Sequence, residues 1–283
     1  MSRLGRALAA AVLISALAPL AAEATVTVGS SLSRTTNAGY ALPQATVWVQ
    51  DVLPADYRQS SSVNGTVVLW RVRGTFMNVT PNTLQLRVLQ SSGAEFIGAG
   101  SSDPQTLPND VTDDVVRQFT TSIPIHPGDR IGVSAVTNAY VPAATAEGMM
   151  SVYNPFDDGS RSGSPTAVEV GELQVSAEVE PTNTISLSRP RTHKKKGTAT
   201  ITVNVPNPGE LTGSGNGAKV SSAAVTSKSV GAGQTQLLIK AKGRKKRKLN
   251  DTGKVKLNVA ITYTPTGGTS STQSVKVKLK KKL

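Results

Sequence analysis

Between Lys254 and Tyr263 the chain alternates in chemical character: Val255, Leu257, Val259, Ile261 and Tyr263 share one parity, and Lys254, Lys256, Asn258 and Thr262 the other. A repeat of two is the side-chain period of an extended strand, so the segment is expected to form a strand with one face buried and one wet. SVKVKLKK (274–281) repeats the design, with Val275, Val277 and Leu279 set against Lys276, Lys278 and Lys280. PTGG between the two runs predicts a hairpin. Its outer face would then place lysines opposite lysines, a mildly destabilising arrangement.

The surrounding sequence extends the pattern. ISLS, TATITVNV (198–205), ELTGSG, KVSSAAVTS and QTQLLIKA (234–241) bring the candidates to seven in roughly a hundred residues, the number expected of an immunoglobulin-like β-sandwich. The cationic run GRKKRK (243–248) reads as a solvated corner between two strands, and LKKKL (279–283) as a loose basic tail.

Charge divides the chain sharply. Residues 25–181 hold eight arginines and fifteen acids, whereas residues 182–283 hold twenty-one cations against Glu210 and Asp251 alone. The net balances are −7 and +19. All seventeen lysines lie at or beyond Lys194. Such a break predicts a domain boundary near 180–184, giving an acidic domain at 25–181 and a basic one at 182–283. Ahead of both, Arg3 and Arg6 precede an apolar run from Ala7 to Leu20, and Ala22-Glu23-Ala24 has the small-x-small form of a cleavage site. Residues 1–24 are therefore expected to be a signal peptide, and the protein to be secreted, extracellular or cell-wall associated. No later stretch is apolar enough to cross a bilayer, so no transmembrane segment is expected after cleavage. Export also means that the basic run is not a nuclear address. The chain has no cysteine, so neither disulfides nor thiolate chemistry is available to it.

The acidic half reads as short strands separated by turn residues: TVWVQ (46–50), TVVLWRVRG (66–74), TLQLRVLQ (83–90), EFIGAG (95–100), VVRQFTTSI (115–123), RIGVSAV (130–136) and VEVGELQVSAEVE (168–180). Seven to nine antiparallel strands without a helical period predict a β-sandwich of jelly-roll type, making the whole chain all-β. In TVVLWRVRG the period of two puts Val68, Trp70 and Val72 on one face and Arg71 and Arg73 on the other. Leu84, Leu86 and Val88 match the first face and Arg87 the second.

NGTVVLWRVRG, LQLRVLQ and FTTSIPIHPGDRIGV resemble a pattern of exported β-sandwich surface proteins of actinobacteria. GTATITVNVPNPGELTGSG, IKAKGRKKRKLNDTGKVKLNVAITYTPTGGT and VKVKLKKKL resemble the lysine-rich domain joined to them. The resemblance covers most of residues 25–283 and implies two sandwiches in tandem on an exported protein, without implying an activity. Leu249 and Gly253 are similar to the corner before the sixth strand of immunoglobulin-like and fibronectin-like domains, although Val255 stands where those domains place a tyrosine.

Catalytic chemistry has little material. Only His126, in a turn, and His193, ahead of three lysines in an expected linker, offer a base; the G-x-S-x-G elbow is absent. No catalytic residue, metal ligand or cofactor is assigned, and the protein is expected not to be an enzyme. SSDPQTLPNDVTDD (101–114) and NPFDDGS (154–160) carry oxygen ligands suited to Ca²⁺, but not at EF-hand spacing; acidic turns are the plainer reading. Arg71, Arg73 and Arg87, expected on one outer face, are candidates for a glycan carboxylate or sulfate, or else for pairing with nearby acids.

The basic half gives the strongest functional expectation. Arg244, Lys245, Lys246, Arg247, Lys248, Lys254, Lys256, Lys276, Lys278 and Lys280 are expected to bind anions, tethering the protein to a cell-wall polymer or acidic polysaccharide, with DNA as a non-specific partner. Sequence-specific nucleic-acid recognition is not expected, because Tyr263 is the only aromatic residue of this half. Two alternatives stand beside this one. The N-terminal half binds or hydrolyses polysaccharide, with Ca²⁺ and with Tyr57, Tyr140 or Tyr153 in a groove; or the two halves dock through their opposite charges.

Overall fold

The computed structural model describes residues 25–52, 57–74, 82–107, 114–137, 139–222 and 229–283. The expected signal peptide lies outside these residues. In the first half the strands are β1 (Val26–Gly29), β2 (Ala38–Leu42), β3 (Val47–Val52) and β4 (Gly65–Gly74). β5 (Asn82–Ser92), β6 (Glu95–Ser101), β7 (Gln105–Leu107) and β8 (Val115–Ile125) follow. β9 (Arg130–Ala135), β10 (Ala139–Tyr153), β11 (Ala167–Leu173) and β12 (Val175–Pro181) complete the half.

One sheet runs β1-β12-β4-β8 and the other β11-β10-β3-β9-β5-β6, all antiparallel, with β2 added on β10 and β7 on β5. Setting aside β2, β7, β10 and β11, the remaining eight strands numbered in chain order run 1-8-3-6 and 2-7-4-5. This is the double Greek key of a jelly roll. Trp70, Val72, Leu84, Leu86, Val88 and Val133 pack between the sheets with no exposed surface.

Two expectations are corrected here. A bulge shifts the register of β4 between Val67 and Leu69, so Val67 enters the core and Val68 is only half-buried. VEVGELQVSAEVE is not one strand: Leu173 pairs in one sheet, Val175 in the other, and the fully buried Gln174 marks the crossing. The fifteen-residue β10 has no counterpart among the expected strands, because Gly148 and a register shift between Ala144 and Met149 break its alternation.

In the second half, β13 (Ser186–Leu187), β14 (Arg191–His193), β15 (Thr198–Val205), β16 (Gly209–Ser214) and β17 (Ala218–Ser222) come first. β18 (Ser229–Val230), β19 (Gly233–Ala241), α1 (Gly243–Thr252), β20 (Lys254–Pro265) and β21 (Ser271–Lys280) follow. Two sheets, β13-β15-β19-β17 and β18-β16-β20-β21, enclose a core of Ile201, Val203, Ile239, Val259, Ile261, Tyr263 and Leu279. The alternation read in β20 is realised: Val255, Leu257, Val259, Ile261 and Tyr263 are all buried, Lys254, Lys256 and Asn258 are exposed, and Thr262 is half-buried.

Neutral groups join the halves. Asn207 is completely buried; its Oδ1 accepts from Asn64 N at 2.7 Å, and its Nδ2 donates to Asn64 O at 2.9 Å and Thr182 O at 3.0 Å. Asn64 Nδ2 returns a bond to Pro206 O at 2.9 Å, and Tyr263 Oη donates to Asn207 O at 2.7 Å. Burial raises the Tyr263 hydroxyl pKa, the bond to Asn207 opposing it.

Candidate functional site

The β20–β21 hairpin carries the cations in register. Lys254 lies opposite Lys280, Lys256 opposite Lys278, and Asn258 opposite Lys276, all on the solvent face. The like-charge pairs expected from the sequence are therefore present. An open groove of about 750 Å³ runs over this face, with Lys256, Lys276, Lys278 and Asn258 along it and the turn Ser214–Asn216 as its wall.

Lys245 joins the groove from α1, an element the sequence reading did not expect. GRKKRK lies between two strands and is mostly exposed, as expected, but it forms the start of a ten-residue helix. Lysine, arginine and leucine are good helix formers, and Leu249 supplies one apolar anchor, the only buried residue of the helix. Gly253 ends it in the left-handed region at φ 66°, its N–H donating to Leu249 O. Leu249 is thus buried, Gly253 caps the helix, and Val255 is buried in the core. The backbone of Lys242 holds the helix against the neighbouring turn by donating to Gly217 O at 2.8 Å. The stem of Lys245 lies over Gly217 so closely that a Cβ at this position would collide with Lys245 Cγ.

The helix N-terminus is electrostatically unfavourable. Lys242 stands at the cap with no side-chain cap bond, and the first turn contains no acid. A carboxylate here would cap the free N–H groups and oppose the helix dipole. Lys242→Asp is expected to stabilise the fold by about 1 kcal/mol, measured as an increased urea midpoint; a decrease would show that the lysine has another structural role.

Cations also line the opposite sheet. His193, Lys194, Lys195, Lys196, Thr200 and Lys240 border a second open groove of about 530 Å³. His193 lies on β14, not in a linker, and its Nε2 is 3.1 Å from Thr200 Oγ1. The expected loose tail is tied down: Leu279 is buried, Lys281 N donates to Gly253 O and Lys282 N to Lys194 O. Among the described residues, every ion pair lies in the first half, and no cation of the second half pairs with a carboxylate.

The three arginines are not one site. Arg71 pairs with Glu178 at 2.5 Å and Arg73 with Asp114 at 3.0 Å, both on the four-stranded sheet. Arg87 belongs to the other sheet and is buried, its Nη2 meeting Asp158 at 3.1 Å and Phe156 O at 3.0 Å. The bulge in β4 and the membership of β5 in the second sheet are what a period-two reading misses. Burial favours protonation of Asp114, but hydrogen bonds from Thr36 and Arg73 and the Arg73 charge together lower its pKa below the ordinary value. A depressed carboxyl pKa contributes stability above the unfolded-state value of about 4, lost as pH falls through the folded value. The stability difference between the parent and Asp114→Asn is therefore expected to shrink below about pH 4, in urea melts across pH; a constant difference would refute it.

The other candidate chemistry disperses. His126 Nδ1 faces Asp129 at 3.4 Å in an exposed turn. Asp158 is engaged by Arg87 and Ser101, and 108–113 of the first Ca²⁺ candidate lie outside the described residues. Among the described residues, no three His, Asp or Glu side chains are grouped to hold a metal. Tyr153 is buried against Phe96 and Phe156, while Tyr57 Oη donates to Leu173 O at 3.0 Å. Burial, then the negative charge of Glu172, raises the Tyr57 pKa well above its ordinary value, with Ser30 opposing. The side chain of Tyr140 is outside the described residues. Among the described residues, no helix is long and apolar enough to cross a membrane.

Sequence reading missed the wall of the groove, Ser214–Asn216, and the placing of Lys245 by Gly217. The NG in GSGNGAKV marks a turn but not what that turn faces. The chain has no significant match among protein-family models, curated proteins or solved structures.

Proposed function

We propose that this is an exported, non-enzymatic binding protein of the actinobacterial surface type that its sequence resembles, whose basic domain (182–283) attaches it to an anionic cell-wall polymer or acidic polysaccharide. The acidic domain (25–181) is the part displayed. The strand order of the second half, in which the sheets divide the strands as first, second, fifth and fourth against third, sixth and seventh once β14 and β18 are set aside, supports an immunoglobulin-like arrangement. Non-specific DNA is a secondary polyanion in this reading, and sequence-specific recognition has no part in it.

The carrying observation is that the surplus cations stand on the outside of an ordered sandwich without acidic partners among the described residues. Uncompensated charge of this kind draws polyanions and releases their counterions. Replacing Arg244, Lys245, Lys246, Arg247 and Lys248 by glutamine is expected to release the protein from isolated cell walls at lower salt. The dependence of log K on log salt should flatten by about 0.7–0.9 for each polymer charge that is no longer neutralised. Retention unchanged at every salt concentration would sink the proposal.

A polysaccharide role for the acidic half has one supporting feature. A groove of about 850 Å³ beside β1 is lined by Thr25, Thr27, Ser31, Ser62, Arg58 and Arg71 of this half, with Pro208, Thr266 and Gly267 of the second half at its border. Binding of neutral glycans by residues 25–283, abolished by Arg58→Ala, would favour that reading; an array without a hit would remove it.

A further inference from the structure

We infer that the groove over β20 and β21 takes a linear phosphodiester chain with three carbons between successive phosphates, an identification that rests on the polyanion reading above. Outward residues of a strand recur every two residues, about 6.8 Å. That interval spans six backbone bonds, from one amide nitrogen to the second following. A three-carbon phosphodiester also has six backbone bonds between phosphorus atoms: P–O, O–C, C–C, C–C, C–O and O–P. An extended polymer of this kind laid along the hairpin repeats its charge in step with Lys276 and Lys278 in the groove and Lys280 just beyond it, and Lys256 sits across from Lys278.

The chemistry of the lining agrees. The row contains lysine only. An ammonium is a point charge suited to the single negative charge of a tetrahedral phosphodiester, whereas planar carboxylates are best met by the two-pronged guanidinium. Asn258, at the position where a third lysine pair would otherwise complete the ladder, and Ser214 and Asn216 in the wall offer amide and hydroxyl groups to the hydroxyls of a polyol unit. Lys245 closes the groove from the side, held there by the packing of its stem on Gly217.

Single-stranded nucleic acid has the same six-bond repeat, but its bases need stacking partners. Tyr263, the one aromatic residue of this half, is fully buried with its hydroxyl committed to Asn207. The groove therefore holds the backbone and offers nothing to bases.

Binding of the protein comprising residues 25–283 to poly(glycerol phosphate) is compared with binding to polygalacturonate and oligothymidylate carrying equal numbers of charges. Two variants of equal charge are used: Lys256→Gln with Lys276→Gln and Lys278→Gln, and Lys194→Gln with Lys195→Gln and Lys196→Gln. Circular dichroism confirms that both are folded. The expected result is that poly(glycerol phosphate) binds tightest, and that the first variant loses about tenfold or more and the second under about threefold, with the salt slope falling by about 2 in the first alone. Equal losses in both variants would overturn the assignment to this groove while leaving polyanion attachment standing. Tighter binding of oligothymidylate or polygalacturonate would overturn the polymer class. Failure of all three polyanions to bind would remove the underlying reading as well.

Discussion

Asn207→Ala is expected to destabilise the protein by about 3 kcal/mol, read as a lower urea midpoint by far-UV circular dichroism. The amide of Asn207 serves three backbone groups: the N–H and carbonyl of Asn64 and the carbonyl of Thr182. Alanine leaves Asn64 N and Thr182 O without this partner at a part-buried junction, while Asn64 O keeps the N–H of Thr182 at 2.9 Å. An unmet group costs roughly 1–3 kcal/mol when buried, so two part-buried groups, together with the cavity left by the fully buried amide, give the stated loss. Asn207→Asp should be nearly as damaging, because a carboxylate replaces a donor that faces two carbonyls. Both tryptophans, Trp48 and Trp70, belong to the first half, so their fluorescence reports on the partner side of the clamp. A change under about 0.5 kcal/mol would show that the halves do not depend on this junction.

Trp70→Ala is expected to cost about 3–5 kcal/mol, the largest effect of any single core truncation in the first half. Trp70 is fully buried between the two sheets, and its ring lies 4.8 Å from that of Phe119. Removing it opens a cavity that strands pinned by their ladders cannot collapse to fill. Trp70→Phe should cost less than about 2 kcal/mol. Among the described residues Trp70 Nε1 has no hydrogen-bond partner, so phenylalanine loses volume but also removes an unmet donor. If the two variants were equally unstable in denaturant melts, a cavity explanation would fail.

The sequence showed the strands best where one face is dry and the other wet. β20, β21, β15 and β19 alternate, and their positions agreed with expectation because a single-residue slip would bury lysine in β19, β20 and β21 and Asn204 in β15. It failed where backbone geometry departs from period two. The bulge at Val67 to Leu69, the sheet crossing at Gln174 and the interrupted β10 carry no side-chain signature that alternation detects. α1 was hidden because its cationic face outweighs its one apolar anchor, Leu249, in any count of composition. Of the candidate site, the two lysine rows were legible and their facing register followed from the hairpin. The inclusion of Lys245 depends on a turn far from it in sequence, and Arg87 parted from Arg71 and Arg73 because its strand joined the other sheet.

The outward lysines, without carboxylate partners among the described residues, have a mechanical consequence. A polymer held by many exchangeable ion pairings releases them one at a time and reforms them one repeat further on, so grip and mobility are compatible. Under the proposed attachment, the first half would patrol a length of strand instead of occupying a fixed post, halting only where the charge on the polymer is interrupted.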